Sequence, residues 1–370
     1  MTYQDLLIKS RACLLGGAIG DALGAPVEFM SEAQIRAQFG ERGLTDMVPA
    51  YGKLGAITDD TQMMLFTAEG LLRGRVRGIE RGITSYEGCV HHAYMRWLLT
   101  QGYTDVSGDV GKDGWLFTQA ELFDRRAPGN TCLGALSQFK PYGTLVSNDS
   151  KGCGGVMRVA PVGIFWLAQF HGNDLCEGAT KAFETGCATG ALTHGHPTGS
   201  IAAGVLAEII FWQMSGLVLR DCLERCVETL RRTPSHDETL ESINAAIRLA
   251  SSGISAERAI NELGEGWVAE EALAIGVFCA LTSPTFEEAV LSAINHGGDS
   301  DSTGLIAGHL AGIRHGISRI PERWINQLEL RQVISDIACD LVTHTEWSNG
   351  HKGSGYSSVS DTVFGRYPGW

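Results

Sequence analysis

Gly16-Gly17-Ala18-Ile19-Gly20-Asp21-Ala22-Leu23-Gly24-Ala25-Pro26-Val27-Glu28-Phe29 decides the fold class. Gly16, Gly20 and Gly24 fall at i, i+4 and i+8. On a helix these positions share one face, and the missing side chains let a second helix approach closely. The stretch lacks G-x-G-x-x-G and no strand pattern precedes it, so a dinucleotide-binding fold is not supported. Pro26 should end the helix and leave Glu28 on the loop that follows. Glu28 then has two readings: a surface carboxylate beside a capped, tightly packed helix, or an acid or base over a pocket.

Outward from this segment the apolar spacing stays helical. Steps of three and four, with Ser, Thr, Asp or Pro at the starts, predict helices over Tyr3–Leu23, Thr61–Leu72, Tyr86–Leu99, Gly163–Phe170, Leu175–Thr189 and Pro197–Leu219. The pattern continues over Asp221–Arg231, Glu238–Ser251, Ala256–Leu263, Ala269–Leu281, Thr285–Asn295, Thr303–His315, Pro321–Gln327 and Leu330–Val342. Alternating strand patterns are scarce; irregular Phe39–Val48 has room for one short strand. Gln101–Asn130 reads as a loop. No repeat and no Pro- or Ser-rich linker divides the chain, so one all-α domain is expected over 1–346. A Gly-, Ser- and aromatic-rich tail, 347–370, is expected to pack on it.

Composition narrows the function. Hydrophobic residues make up 44% of 370, enough for a sizeable core. Basic residues number 29 against 42 acidic ones, for a net charge of −13, the reverse of what phosphate neutralisation on nucleic acid requires. No nucleic-acid partner is expected. Ten Cys include no C-x-x-C pair, which speaks for reduced thiols rather than a zinc ribbon. Asp5 and Asp21 spoil a signal peptide, and Glu208 and Gln213 interrupt the apolar run 201–219. A cytoplasmic protein without a membrane partner is expected.

Two short motifs resemble each other. Thr58-Asp59-Asp60-Thr61 and Gly297-Gly298-Asp299-Ser300-Asp301-Ser302-Thr303 each run from glycines into an apolar helix. Either is explicable as helix capping. Each also sets two carboxylates beside hydroxyls, and paired carboxylates repel unless a cation lies between them. Four Asp with Ser and Thr oxygens describe a hard-cation site: Mg²⁺ or Mn²⁺ fits and zinc fits poorly. Lys151-Gly152-Cys153-Gly154-Gly155-Val156-Met157-Arg158 reads either as an anion-cradling nest or as a plain glycine turn. Thr193-His194-Gly195-His196-Pro197 leads into a Pro-started helix and carries no H-E-x-x-H pattern.

Taken in order, these motifs resemble the ADP-ribosylglycohydrolase family. The resemblance rests on Gly20–Gly24 with Glu28, on Thr58–Thr61, on Gly152–Arg158, on Thr193-His194 and on Gly297–Thr303. Arg126-Ala127-Pro128-Gly129-Asn130-Thr131 and Arg366–Trp370 also look like bacterial members. It implies a compact orthogonal multi-helix bundle with a binuclear Mg²⁺ or Mn²⁺ centre at one end. The metal ligands carried over are Thr58, Asp59, Asp60, Asp299, Asp301 and Ser302; the family often has Thr at that last position. Glu28, Asp60 and Asp301 are the catalytic candidates. Asp21, Gly152, Cys153, Gly154, Gly155, Met157, Arg158 and His194 fall on the substrate side, the glycines at the diphosphate.

The implied reaction is metal-dependent removal of ADP-ribose from a modified protein, foremost from arginine. Two alternatives come with the family: another ADP-ribose linkage (serine or O-acetyl-ADP-ribose), and an immunity protein that reverses or plugs an ADP-ribosyltransferase toxin. Known plugs use an extra N-terminal segment, and only about a dozen residues precede Leu14. A metal-free ADP-ribose binder is disfavoured by the four Asp.

Overall fold

The computed structural model describes residues 2–104, 110–138, 146–348, 351–352 and 356–369. Among them run seventeen α-helices. The first half holds α1 (Tyr3–Gly24), α2 (Glu32–Phe39), α3 (Asp59–Arg81), α4 (Tyr86–Thr100), α5 (Asn130–Ser137), α6 (Ala160–Phe170), α7 (Leu175–Ala191) and α8 (Pro197–Ser215). Then come α9 (Leu219–Leu230), α10 (Asp237–Ala250), α11 (Ala256–Leu263), α12 (Ala269–Thr282), α13 (Phe286–Ile294), α14 (Ser300–His315), α15 (Glu322–Gln327), α16 (Arg331–Thr343) and α17 (Asp361–Arg366). Two-residue strands β1 (His351–Lys352) and β2 (Tyr356–Ser357) pair antiparallel. The chain is all-α, as its apolar spacing predicts.

The glycine face of α1 meets α14. A Cβ added at Gly16, Gly20 or Gly24 would lie 2.5, 1.9 or 2.3 Å from the carbonyl oxygens of Gly308, Gly304 and Ser300. α14 answers with its own row: Gly304, Gly308 and Gly312 face Gly20, Gly16 and Ala12. The two backbones touch over about three turns, with no side chain between them. This contact carries the start of α14, and Asp299 with it, to the end of α1.

α3 is tied to α4 by charge as well as by packing. Glu69, fully buried on α3, accepts from Arg96 of α4 at 2.9 Å and from Arg73 at 3.4 Å. The apolar run 201–219 supplies most of α8, inside the body. Its Glu208 is buried and accepts from Trp212 Nε1 and Thr229 Oγ1.

Several boundaries differ from expectation. Phe39–Val48 holds no strand: α2 ends at Phe39, and the chain turns through Gly40 (φ 88°) and Gly43 (φ 66°). α2 buries only Ile35, too little apolar surface to signal a helix. The expected 101–130 loop carries two 3₁₀ turns and opens into α5; its residues 105–109 lie outside the described residues. α8 stops at Ser215, where Gly216 takes the left-handed C-cap (φ 111°).

In the tail, Trp347 stacks on Tyr367 (5.5 Å between centroids, 15°). Tyr367 donates to Asp340 of α16 at 2.6 Å, and the Arg366 guanidinium lies 3.9 Å over the Trp115 ring. Trp370 lies outside the described residues.

Candidate active site

The motif Thr58–Thr61 starts α3 and Asp299–Thr303 starts α14, so the α1–α14 contact sets their relative position. Each first turn is held by its own capping bonds. The Thr58 hydroxyl accepts from Asp60 N–H, and Asp299 accepts from Ser302 N–H. The two motifs meet directly: Ser302 Oγ donates to Asp60 Oδ2 at 2.7 Å across 242 residues.

A cavity of about 350 Å³ opens over this junction. On its wall lie Asp59, Asp60, Asp299, Asp301 and Ser302 from the two motifs, with Glu28 from the loop after α1. Gly152, Cys153, Gly154 and Met157 supply another side, and His194 closes in beside them. Cys153 Sγ–H donates to Asp299 Oδ2 at 2.7 Å, and Gly129 N–H donates to Asp59 Oδ2 at 3.3 Å. Glu28 Oε2 is buried with no hydrogen-bond partner.

Four of the residues expected at the site lie behind this wall. Asp21 is fully buried and accepts from the backbone N–H groups of Thr58 and Thr61 and from the Thr61 hydroxyl, so it anchors the start of α3. Thr58 is buried and caps the same turn. Gly155 packs under Gly199 and His194. Arg158 is buried against the Tyr94 ring and donates to Thr189 O and Thr193 Oγ1, which braces the His194 loop. A carboxylate or guanidinium in a motif reads alike in sequence whether it faces a ligand or supports the wall.

Electrostatics are severe. Burial, then the charges of Asp301, Asp299, Asp59 and Asp21, push the Glu28 carboxyl up to about 10. Burial followed by Asp301 raises Asp21 to about 7 and drives Asp59, Asp60 and Asp299 well above the usual carboxylate range. Burial, then Arg158, holds His194 down at about 3, so it is neutral. Among the described residues no three His, Cys, Asp or Glu side chains already close on one point as a cage. Each Asp turns instead to a hydroxyl, thiol or backbone donor. The donor set still fits a hard divalent cation: buried carboxylate and hydroxyl oxygens, an orphan Glu28 oxygen, and mutual repulsion that positive charge would relieve.

Sequence reasoning passed over part of the wall. Phe29 and Trp267 line the cavity and stack on each other (5.9 Å, 17°), and Pro128, Asn130, Thr131 and Cys132 border it. Trp267 sits in the turn Gly264–Val268, where Trp267 O accepts from Cys153 N–H and Glu265 O from Asp299 N–H. A single Trp after two glycines gave no signal of this. The approach to Asp59 is buttressed by Arg126 and Glu329, which form a buried ion pair and hold both backbone groups of Ile57.

Comparison with known proteins gives the family. The sequence matches the family described as ADP-ribosylglycohydrolase over residues 2–350. It is 26% identical over 336 residues to ADP-ribosyl-[dinitrogen reductase] glycohydrolase of Rhodospirillum rubrum, covering 90% of this chain and 94% of that protein. It is 24% identical over 346 residues to ADP-ribosylarginine hydrolase Tri1 of Serratia proteamaculans, covering 91% and 80%. A solved structure described as an ADP-ribosylglycohydrolase-related protein complex shares the fold, with a TM-score of 0.65 at 24% identity over 92% of this chain and 99% of that one. The family match takes in every motif on the cavity wall and most of the helical body, and this chain therefore belongs to the ADP-ribosylglycohydrolase family.

Proposed function

We propose that the protein is a divalent-metal-dependent hydrolase that removes ADP-ribose from modified proteins and cleaves the N-glycosidic bond of ADP-ribosylarginine. The observation that carries this is the junction of Asp60 with Ser302, which sets two carboxylate pairs on one cavity beside the 152–154 turn. The two relatives named above supply the substrate class.

Asp59, Asp60, Asp299, Asp301 and Ser302 would hold two Mg²⁺ or Mn²⁺ ions, with Thr58 supporting from the capped turn. Such ions supply Lewis acidity and offset the charge of an acidic site that must take a diphosphate. The Gly152–Gly154 backbone faces the diphosphate end and His194, neutral, offers a ring nitrogen beside it. Bond breaking at the ribose C1 develops positive charge, which the surrounding carboxylates stabilise. Glu28, with a free carboxylate oxygen on the cavity, takes or delivers the proton. Ten unpaired cysteines suit a reducing cytoplasm.

The test is ADP-ribose release from an arginine-ADP-ribosylated protein with Mg²⁺, with Mn²⁺ and with chelator. Metal-dependent release that Asp301→Ala abolishes is expected. Release that persists in chelator, or in that variant, would overturn the assignment.

A further inference from the structure

Large aromatic rings on the lip of a charged cavity need a reason. Phe29 is 73% exposed and Trp267 38%, although the chain has a large core to bury them in. Neither is loose. Trp267 is fixed by the bond from Cys153 N–H to its carbonyl and by the bridge between Gly152 and Val268. Phe29 follows Glu28 in a turn closed by Met30 N–H on Val27 O at 2.9 Å. The rings lie nearly parallel, and both line the cavity that Glu28 also lines, where its Oε2 has no hydrogen-bond partner.

Five carboxylates line the cavity and, among the described residues, no Lys or Arg does. Four of the five are the proposed metal ligands, which leaves Glu28 to meet the acceptor. The diphosphate end of the substrate brings negative charge, and the acceptor end is free to bring the opposite. A guanidinium suits what is there: it is planar, stacks on aromatic faces, and donates N–H groups to a carboxylate. A serine hydroxyl can donate to Glu28 but has no flat face for the rings, and an acetate sets an acceptor against that carboxylate.

We infer that Phe29 and Trp267, with the Glu28 carboxylate, form an acceptor subsite that selects a guanidinium leaving group. This rests on the hydrolase reading above and names what sets its linkage preference.

The experiment is calorimetric binding of agmatine, a small guanidinium, to the full-length protein saturated with ADP-ribose. Wild type, Phe29→Ala, Trp267→Ala and Trp267→Phe are compared, and ADP-ribose affinity is measured in each as the check on fold. Agmatine should bind wild type, weaken about ten-fold in either Ala variant and recover largely in Trp267→Phe, while ADP-ribose affinity stays within about two-fold. With arginine-linked substrate the same Ala variants should raise KM and leave kcat near wild type. Three results would overturn the subsite: no agmatine binding, equal binding in the Ala variants, or a parallel loss of ADP-ribose affinity, which would give the rings to the adenine. Binding needs no turnover, so the two readings fail separately. Ring-dependent agmatine binding in a protein that releases no ADP-ribose would remove the hydrolase and keep the subsite. Release without ring dependence would do the reverse.

Discussion

Gly20 and Gly304 meet backbone to backbone: a Cβ on Gly20 would lie 1.9 Å from the Gly304 carbonyl oxygen. Neither helix can yield without dragging the first turn of α14 away from α3. Gly20→Ala should therefore cost more than the roughly 1–3 kcal/mol of ordinary overpacking, or prevent folding. Gly134→Ala, on α5 with nothing within 4 Å, should be neutral or stabilise by up to about 1 kcal/mol. Urea unfolding of both variants checks the contrast.

On the proposed metal reading, buried carboxylates that repel one another trade stability for metal affinity. Divalent cation should raise the thermal midpoint and chelator should lower it. In chelator, Asp301→Asn should melt higher than wild type, because one charge leaves a buried cluster. The same variant should gain no stability from cation and should lose activity by a factor of about a hundred or more. Midpoints measured with and without cation, beside an activity assay, test all three.

Glu69 neutralises two buried guanidiniums, Arg96 and Arg73, each about 3% exposed. Removing it leaves Arg96 without its carboxylate partner and Arg73 with Asp113 alone, at 2.9 Å. Glu69→Ala should lose about 3–5 kcal/mol. Loss of less than about 1 kcal/mol in denaturant titration would refute this.

Three buried histidines away from the cavity respond to pH. Burial holds His296 and His309 down at about 4 and His344 at about 3. The unfolded chain protonates them near 6.5, so below that pH it binds more protons than the folded one. Their contribution is complete above pH 6.5 and is lost as the pH falls, by up to about 1.4 kcal/mol per unit for each. Asp59, Asp60 and Asp299 act oppositely: their raised values make the cation-free folded state gain stability as the pH falls. Between pH 6.5 and 5 stability should thus fall steeply with saturating cation, and should fall less or rise in chelator, where Glu28 and Asp21 add to the opposing carboxylates. Denaturation midpoints across that range, with and without cation, check the sign.

Sequence alone carried the class of fold and the chemistry of the two Asp motifs further than it carried their surroundings. The glycine row of α1 announces a close helix partner, but nothing in its spacing says that the partner is α14. Asp59, Asp60, Asp299 and Asp301 stand out because unlike positions repeat one pattern. Asp21 belongs to the same set of residue types, yet its oxygens are consumed by the Thr58 and Thr61 backbone. Trp267 was illegible because a turn has no period, and the place of that turn depends on the bonds from Cys153 N–H to Trp267 O and from Asp299 N–H to Glu265 O, both remote in sequence. α2 was illegible because a helix that buries one side chain leaves almost no apolar stripe.

The bond between Ser302 and Asp60 also has a temporal side. During synthesis, Asp60 leaves the ribosome 242 residues before its partner exists. Until then the carboxylates of α3 face no α14, and the groove that α1 reserves for those glycines stays open. A nascent chain thus has no assembled cavity, however much of its amino-terminal half has folded. A break between α3 and α14 made before folding would leave two pieces that must find each other before the cavity forms.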